Sequence, residues 1–427
     1  MLLIKNCKIC DPYSIYEGQQ DILIENGTIK EIAPDIAVND GECSEVIDAS
    51  GLVAAPGFVD VHTHFRDPGF WDKETIHTGA LAAARGGYTS VVCMANTSPA
   101  VDNAETLQYV MEAAAKEQIH IYQAAAVTVG RNGEALVDME DLKGHGAAGF
   151  TDDGSPILSD EVTLAAMEKA ASLNAVLSFH EEDPAYIGVS GVNDGPAAEA
   201  LGIKGAGRKA ETTMVVRDLN YALKTKCKID IQHVSAAESV EFIRQAKLKD
   251  TDGLIHAEAT PNHFTLTEDA VSEYGTLAKI NPPLRTEADR QAIINGLVDG
   301  TIDIIATDHA PHTSAEKEQE FPKAPSGIIG LETAFSLGFR ELVQSGRMTL
   351  TGLIALMSTN PANLYSLNAG RIKIGAPADI VLLSTETNTK YDHFESRSSN
   401  SPFLGQTLPG AVFATICSGN VVFRRKI

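Results

Sequence analysis

Two histidines stand one residue apart in "GFVDVHTHFRDPG", at the end of an apolar run and just ahead of an arginine and an Asp-Pro-Gly break. Side chains alternate faces along a strand, so Asp60, His62 and His64 share one face while Val59, Val61 and Thr63 share the other. The two imidazoles then converge on one point. A single His-x-His is a weak signal, but four further apolar runs close on groups of the same kind: Asp152 and Asp153 in "GFTDDG", His180 in "LSFH", His233 in "DIQH" and Asp308 in "IATDH". Imidazole and carboxylate sets of this size suit zinc or a similar borderline divalent ion, and six ligands exceed the needs of one tetrahedral site. Two ions sharing a bridging carboxylate would use them all. Zinc lowers the pKa of bound water from about 16 to about 7 and polarises a carbonyl oxygen, so hydrolysis or its reverse is the natural reaction class. Asp308 is open to two roles, ligand or acid/base, and spacing does not choose between them.

The remaining histidines carry less. His77, His120, His145, His256 and His393 lack a strand-end context and read as surface or packing residues; His263 and His309 read as groups that hold ligands in place, and His312 lies close enough to Asp308 in sequence to reach a substrate. Cys7 and Cys10 form a C-x-x-C without a second pair, which reads as a coincidence on a β-strand, and the six cysteines make no disulfide framework.

These groups need a scaffold that gathers distant strand ends. From about residue 54 to 367, short apolar runs alternate with Ala-rich helical stretches, the pattern of βα units on a parallel sheet. Eight runs fit: "GFVDVHTH", "TSVVCMAN", "IHIYQAAAVT", "GAAGFTDD", "AVLSFH", "IDIQHVS", "LIHAEATP" and "IDIIATDH". A closed (β/α)8 barrel requires that number and brings the C-terminal ends of all strands to one rim, where catalytic groups collect. Residues 1–53 and 368–427 read as short strands with Asp-Pro, Asn-Gly and Gly turns, expected to combine into one small β-sandwich formed by both termini.

Bulk properties agree with a large globular chain. Of 427 residues, 44% are hydrophobic and 21% charged, and no tract is biased in composition. The net charge of -23 argues against binding nucleic acid or an anionic membrane, and an anionic small substrate would need its own local cation. With no export signal and no long apolar run, a cytoplasmic location is expected.

The motifs together resemble the amidohydrolase superfamily and, within it, dihydroorotases of the longer bacterial type. They are "GFVDVHTHFRDPG", "TSVVCMANTSPAVD", "GFTDDGSP", "IQHVS", "AKINPPLR", "IATDHAPH", "APSGIIGLE" and "GRIKIGAPADIVLL", in order from Gly57 to Leu383. The resemblance implies zinc-dependent, reversible cyclisation of N-carbamoyl-L-aspartate to L-dihydroorotate with loss of water, a step of pyrimidine synthesis. By motif position His62 and His64 would hold one zinc, His180 and His233 a second, and Asp153 would bridge them in preference to Asp152. Asp308 would bind metal and shuttle the proton at the ring nitrogen. Arg66 would grip a substrate carboxylate with its planar fork, which a lysine could not do bidentately. His64, Asn96, Asn281, His312 and the backbone at Ser326 and Gly327 match the family's substrate-contacting positions.

Hydantoinases, allantoinases and the shorter dihydroorotases are similar overall but usually bridge their metals with a carboxylated lysine, and a hydantoinase, dihydropyrimidinase or allantoinase is the alternative within the superfamily. From Gly144 to Glu168 this chain has no lysine, and "TDDG" stands there instead. Ala95 and Asn262 depart from the relatives' usual Pro and His, and neither removes a ligand. A non-catalytic scaffold for aspartate transcarbamoylase is the alternative from another class, opposed by the complete ligand set; an active enzyme could still bind that partner, and the family suggests a homodimer. The polar run from 311 to 327 is long for a barrel connection and reads as a region that closes on substrate, or as a surface insertion.

Overall fold

The computed structural model describes residues 1–427 apart from 40, 42 and 427, so the last residue of the C-terminal run expected as strand lies outside the described residues. Five strands open the chain: β1 (Leu2–Ile9), β2 (Gln19–Glu25), β3 (Thr28–Ala33), β4 (Glu45–Asp48) and β5 (Val53–Pro56). Seven follow in the middle: β6 (Phe58–Thr63), β7 (Tyr88–Cys93), β8 (His120–Gln123), β9 (Val176–Phe179), β10 (Lys228–Ile231), β11 (Ile255–Ala259) and β12 (Ile304–Ile305). Three close the chain: β13 (Ile380–Lys390), β14 (Thr407–Cys417) and β15 (Asn420–Arg424).

The middle strands are parallel and form a (β/α)8 barrel. β6, β7 and β8 pair in sequence order, as do β9 to β12. Between the two groups stands the run "GAAGFTDD", which meets the strand criterion only at Phe150, bridged to Ala125 on one side and Leu177 on the other. The run nevertheless keeps a strand's hydrogen bonds, from Ala148 N to Gln123 O at 2.9 Å and from Phe150 N to Val176 O at 3.0 Å. Its Gly and Ala residues explain the shortness, since they offer little side chain to pack on neighbouring strands. A bridge between Thr63 and His309 joins the last run to the first and closes the ring.

The termini share one eight-stranded network in the order β15-β14-β13-β5-β1-β2-β3, with β4 pairing β1 off that path. Alternation sorts its side chains: Ile4, Ile22, Ile24, Ile380, Leu382 and Ile416 meet in one core, while Leu3 and Leu23 turn the other way to meet Ile36. Only Gly57 separates β5 of this domain from β6 of the barrel. A Cβ at Gly57 would lie 2.2 Å from the Thr89 side chain, so glycine is what lets the two strands follow on so closely.

Candidate active site

The barrel brings the strand-end groups to one rim. His62 sits within β6 and His64 just beyond it; Asp153 follows the Phe150 bridge, His180 follows β9, His233 follows β10, and Asp308 follows β12. His62 Nε2 lies 3.5 Å from both Asp153 Oδ1 and Asp308 Oδ1, and His64 Nε2 lies 2.9 Å from Asp308 Oδ1 and 3.5 Å from Asp153 Oδ2. On the other side of Asp153, His180 Nδ1 is 3.5 Å from Oδ1 and 2.9 Å from His233 Nε2. Asp153 thus belongs to both halves. Three of the rim residues, Arg66 (φ 59°), His233 (φ 32°) and Asp308 (φ 47°), adopt left-handed backbone, which non-glycine residues rarely do and which turns each chain off its strand at the rim.

Asp152 and Asp153 part company here. Asp152 accepts from the backbone N–H of Val127 at 2.8 Å and of Thr128 at 3.1 Å, and from the Thr128 hydroxyl, so it braces the neighbouring loop. Lys143 and Lys169, which flank the lysine-free stretch, bond Leu173 O and Glu140 and take no part in the cluster.

Three of the four rings have a partner on the nitrogen turned away from the cluster. His62 Nδ1 bonds Glu258 Oε2 at 2.9 Å, His64 Nδ1 bonds Asn96 Oδ1 at 2.9 Å, and His180 Nε2 bonds Glu182 Oε2 at 3.0 Å. The opposite nitrogen of each ring therefore faces the cluster, the arrangement that metal-ligating histidines use. Asn96 also donates to Asp153 Oδ2 at 2.9 Å, so both ends of its amide orient residues of the cluster. Glu258 and Glu182 were not among the residues singled out from the sequence. A glutamate inside the apolar run "LIHAEATP" was the available signal for the first, whereas nothing marked Glu182 beyond its nearness to His180.

Charge within the cluster is balanced between rings and carboxylates. Burial opposes ionisation of Asp153, but His62, His180 and His64 hold its pKa well below the usual range. Burial also opposes protonation of His62, yet Glu258, Asp308 and Asp153 raise it well above the ordinary value, and Asp153 and Glu182 carry His180 up to about 10 against the same opposition. His233 goes the other way, lowered by burial and by its neighbours His180 and His62. Behind them Asp60 is raised to about 7 by burial, although it accepts from His62 N and Thr307 N.

The cluster fits a divalent metal. His62, His64 and Asp153 offer ligand atoms within 4.8 Å of one another, and so do Asp153, His180 and His233. His62 Nε2 is also buried without a hydrogen-bond partner, which a buried ring nitrogen tolerates poorly unless something binds it.

Over the cluster lies a cleft of about 180 Å3 lined by His64, Arg66, Asn96, Asn281, His312, Ser326 and Gly327 together with Asp153, His180, His233 and Asp308. Arg66 reaches Pro311 O at 3.3 Å and His312 Nε2 at 3.5 Å, and it forms no ion pair among the described residues. Asp67 accepts instead from Trp71 Nε1 at 2.8 Å and Tyr109 Oη at 3.0 Å. His312 donates from Nε2 to Ser326 O at 2.9 Å, and burial with the cations Arg66, Lys73 and Lys317 pushes its pKa to about 2, so the ring is neutral. Its Nδ1, 3.7 Å from Glu316 Oε2, and Asn281 Oδ1 and Ser326 Oγ are buried without a hydrogen-bond partner. His263 and His309 lie behind this wall: His263 bonds Pro282 O at 2.9 Å beneath Asn281, and His309 bonds Glu74 at 3.2 Å.

The other histidines stay away from the cleft. His77, His256 and His393 pair with Glu117, Asp303 and Asp392, His145 bonds Asp141 O, and His120 bonds Asp379 at 3.1 Å across to the small domain. The six cysteines are free, with Cys7 and Cys10 both on or beside β1.

Comparison with known proteins places this geometry. Residues 51–239 match the family described as Dihydro-orotase-like. The chain is 52% identical to the dihydroorotase of Clostridioides difficile over 99% of its own length and 100% of the relative's. It is 49% identical to that of Clostridium acetobutylicum, over 100% of both chains. The chain belongs to the dihydroorotase family. Among solved structures, L-hydantoinase (dihydropyrimidinase) from Arthrobacter aurescens matches with a TM-score of 0.88 and 26% identity, covering 100% of this chain and 96% of the other. Dihydropyrimidinase from Brevibacillus agri shares the fold at a TM-score of 0.84 and 23% identity, covering 99% and 95%. The barrel with its small β domain is thus common to cyclic amidohydrolases, while the dihydroorotase relatives match along the whole chain. Among the described residues no helix is long and apolar enough to cross a membrane.

Proposed function

We propose that the protein is a dihydroorotase that interconverts N-carbamoyl-L-aspartate and L-dihydroorotate in pyrimidine synthesis. Full-length relatives at 46–52% identity carry the dihydroorotase name, and the reaction class is cyclic amide hydrolysis. The observation that carries the substrate is Arg66, a cation without an ion pair among the described residues, set beside the His/Asp cluster in a chain of net charge -23. A guanidinium fork there grips a carboxylate bidentately. Asn281, His312 and the Ser326–Gly327 backbone offer the remaining polar contacts to a ring that carries amide groups.

Two zinc ions are the proposed cofactor. His62, His64 and Asp308 would hold one, His180 and His233 the other, and Asp153 would serve both. When bound, zinc supplies a Lewis acid and makes water a nucleophile near neutral pH. The chain's own residues then do the rest. Glu258, Asn96 and Glu182 keep the imidazoles turned inward, Arg66 fixes the substrate carboxylate, and Asp308 takes up a proton and delivers it to the leaving ring nitrogen during hydrolysis. In cyclisation Asp308 starts protonated and the transfers run in reverse.

Hydantoin and dihydropyrimidine rings lack the carboxylate that Arg66 awaits, and Asp153 stands where the carboxylated lysine of those enzymes would be expected. A scaffold without activity has no use for six intact ligand positions. A homodimer, association with aspartate transcarbamoylase and a cytoplasmic location are further proposals drawn from the family and the sequence. The test is metal content measured together with turnover of dihydroorotate and carbamoyl aspartate. A pure protein that takes up no metal and turns over neither compound would sink the reading.

A further inference from the structure

Two lysines behind the substrate cleft are buried without a carboxylate partner. Lys317 is 4% exposed, and its Nζ donates to Pro325 O and Gly327 O at 3.0 Å each, with Lys279 O at 3.5 Å. Lys279 is 2% exposed, and its Nζ donates to Phe321 O and Ala324 O at 2.7 Å each. Lys279 also accepts through its own carbonyl from Gly327 N at 2.9 Å, two residues before Asn281. The two amines thus tie the turn from Phe321 to Gly327 to the segment that carries Asn281. Gly191, at φ 78°, packs against Lys279 and Ser326: a Cβ there would lie 2.5 Å from Ser326 Oγ and 2.6 Å from Lys279 Cγ. On the cleft side Gly327, at φ 147°, leaves no space for a Cβ either, which would lie 2.8 Å from Ala310 O and 2.9 Å from His312 Cδ2.

Burying an amine without a counter-charge is costly, and a surface insertion would not require it. Burial lowers Lys317 to about 7 and Lys279 to about 8. Carbonyls are the partners such groups can keep, since an amine retains two N–H donors after losing its proton. The Lys317 bonds end on Pro325 O and Gly327 O, on either side of Ser326, and Ser326 and Gly327 line the cleft, while Lys279 holds the same turn further back at Phe321 O and Ala324 O.

We propose that Lys317 and Lys279 are positioning residues that clamp the Phe321–Gly327 turn and so fix the Ser326–Gly327 backbone at the height that receives substrate. The role rests on the dihydroorotase reading for its substrate and not for its mechanics. Loosening the clamp weakens binding while leaving the His/Asp cluster and Asp308 in place, so KM moves and kcat does not.

The experiment compares wild type with Lys317→Met and Lys279→Met in three measurements: steady-state kinetics with dihydroorotate, zinc content, and amide hydrogen exchange over residues 318–327. The expected result is a KM raised at least about tenfold for Lys317→Met, with kcat within threefold, zinc content unchanged and exchange in the turn accelerated. Unchanged exchange overturns the clamp; accelerated exchange with an unchanged KM overturns its role in substrate positioning, as does a loss confined to kcat. If Lys317→Met fails to fold, Lys279→Met decides by the same criteria. If the wild type turns over neither dihydroorotate nor carbamoyl aspartate, the substrate reading falls, while the exchange measurement still decides whether the lysines hold the turn.

Discussion

Removing the Glu258 carboxylate should loosen metal at the His62 half of the site without touching a ligand. Glu258 and His62 are both fully buried, and the 2.9 Å bond between Oε2 and Nδ1 is what turns Nε2 toward Asp153 and Asp308. The glutamate has other calls on it: His233 N approaches Oε2 at 3.4 Å, and burial and Glu258 raise the pKa of neighbouring Asp230. In Glu258→Leu the His62 Nδ1–H loses its acceptor in a dry interior, and the ring no longer prefers the tautomer or rotation that presents Nε2. A hydrogen bond to a charged group is worth about 1.5–3 kcal/mol, and loss of a ligand's outer partner typically costs about 10–100-fold in metal affinity, which is about 1.4–2.8 kcal/mol. The two magnitudes agree. Glu258→Gln should be milder, since its amide oxygen can still accept from Nδ1 while its NH2 faces Asp230. The assay is competition for zinc against a chromophoric chelator at fixed pH, with both sites fitted. Leucine should weaken one site about 10–100-fold and glutamine less. If both variants hold zinc within twofold of wild type, the outer bond does not orient His62 and the reasoning fails.

Other expectations follow from the same geometry. Zinc uptake should release protons at pH 7–8, because His180 is raised to about 10 and His62 above its ordinary value while metal is absent, so affinity should climb with pH; a pH-independent affinity in weak buffer would contradict the charge balance. Arg66→Lys should cut kcat/KM for dihydroorotate roughly 10–100-fold with metal content intact, the worth of a bidentate charged contact; unchanged activity would remove Arg66 from the carboxylate. Hydrolysis should rise with pH and cyclisation fall, since Asp308 begins one reaction ionised and the other protonated; parallel profiles would count against its proton-shuttling role. Lysines lowered to about 7 and 8 bind fewer protons folded than unfolded up to about pH 10.5, so their contribution makes stability rise with pH over that window. Urea midpoints at pH 7 and 9.5 should therefore diverge less in Lys317→Met than in wild type, and equal divergence would show that Lys317 is not the group responsible.

Much of the His/Asp cluster was legible because its residues lie at strand ends, where alternation and a polar stop after an apolar run leave a trace. Asp153 could be separated from Asp152 only through resemblance, because adjacent residues in one turn carry the same side chain and differ only in where the backbone aims them. The structure shows the difference in bonds to Val127 and Thr128, residues more than 20 positions away in sequence. The barrel was readable from the spacing of its runs, but the fourth run hid its brevity, since Gly and Ala look apolar without having surface to pack. Glu258, Glu182 and the two clamping lysines left little trace: Glu258 and Lys279 matter through partners far off in the chain, and any lone Lys or Glu, Glu182 and Lys317 included, reads as solvated surface until the fold buries it. The polar composition of residues 311–327 suggested mobility for the same reason, whereas Lys317 and Lys279 pin its second half.

The join at Gly57 bears on the order in which the protein is made. β6, which presents the first two ligands, is fed directly by β5, and β5 pairs with β1 on one side and with β13 on the other. Four residues of β13, from Ile380 to Leu383, supply that second neighbour. While the chain is being synthesised, all six ligand positions exist before the strand leading into the first of them has both its partners. β5 gains its second neighbour only when residues 380–383 are available, so the strand that feeds the rim is fully supported only by chain that follows it. Residues carried by the middle of the chain thus depend on a strand made after them.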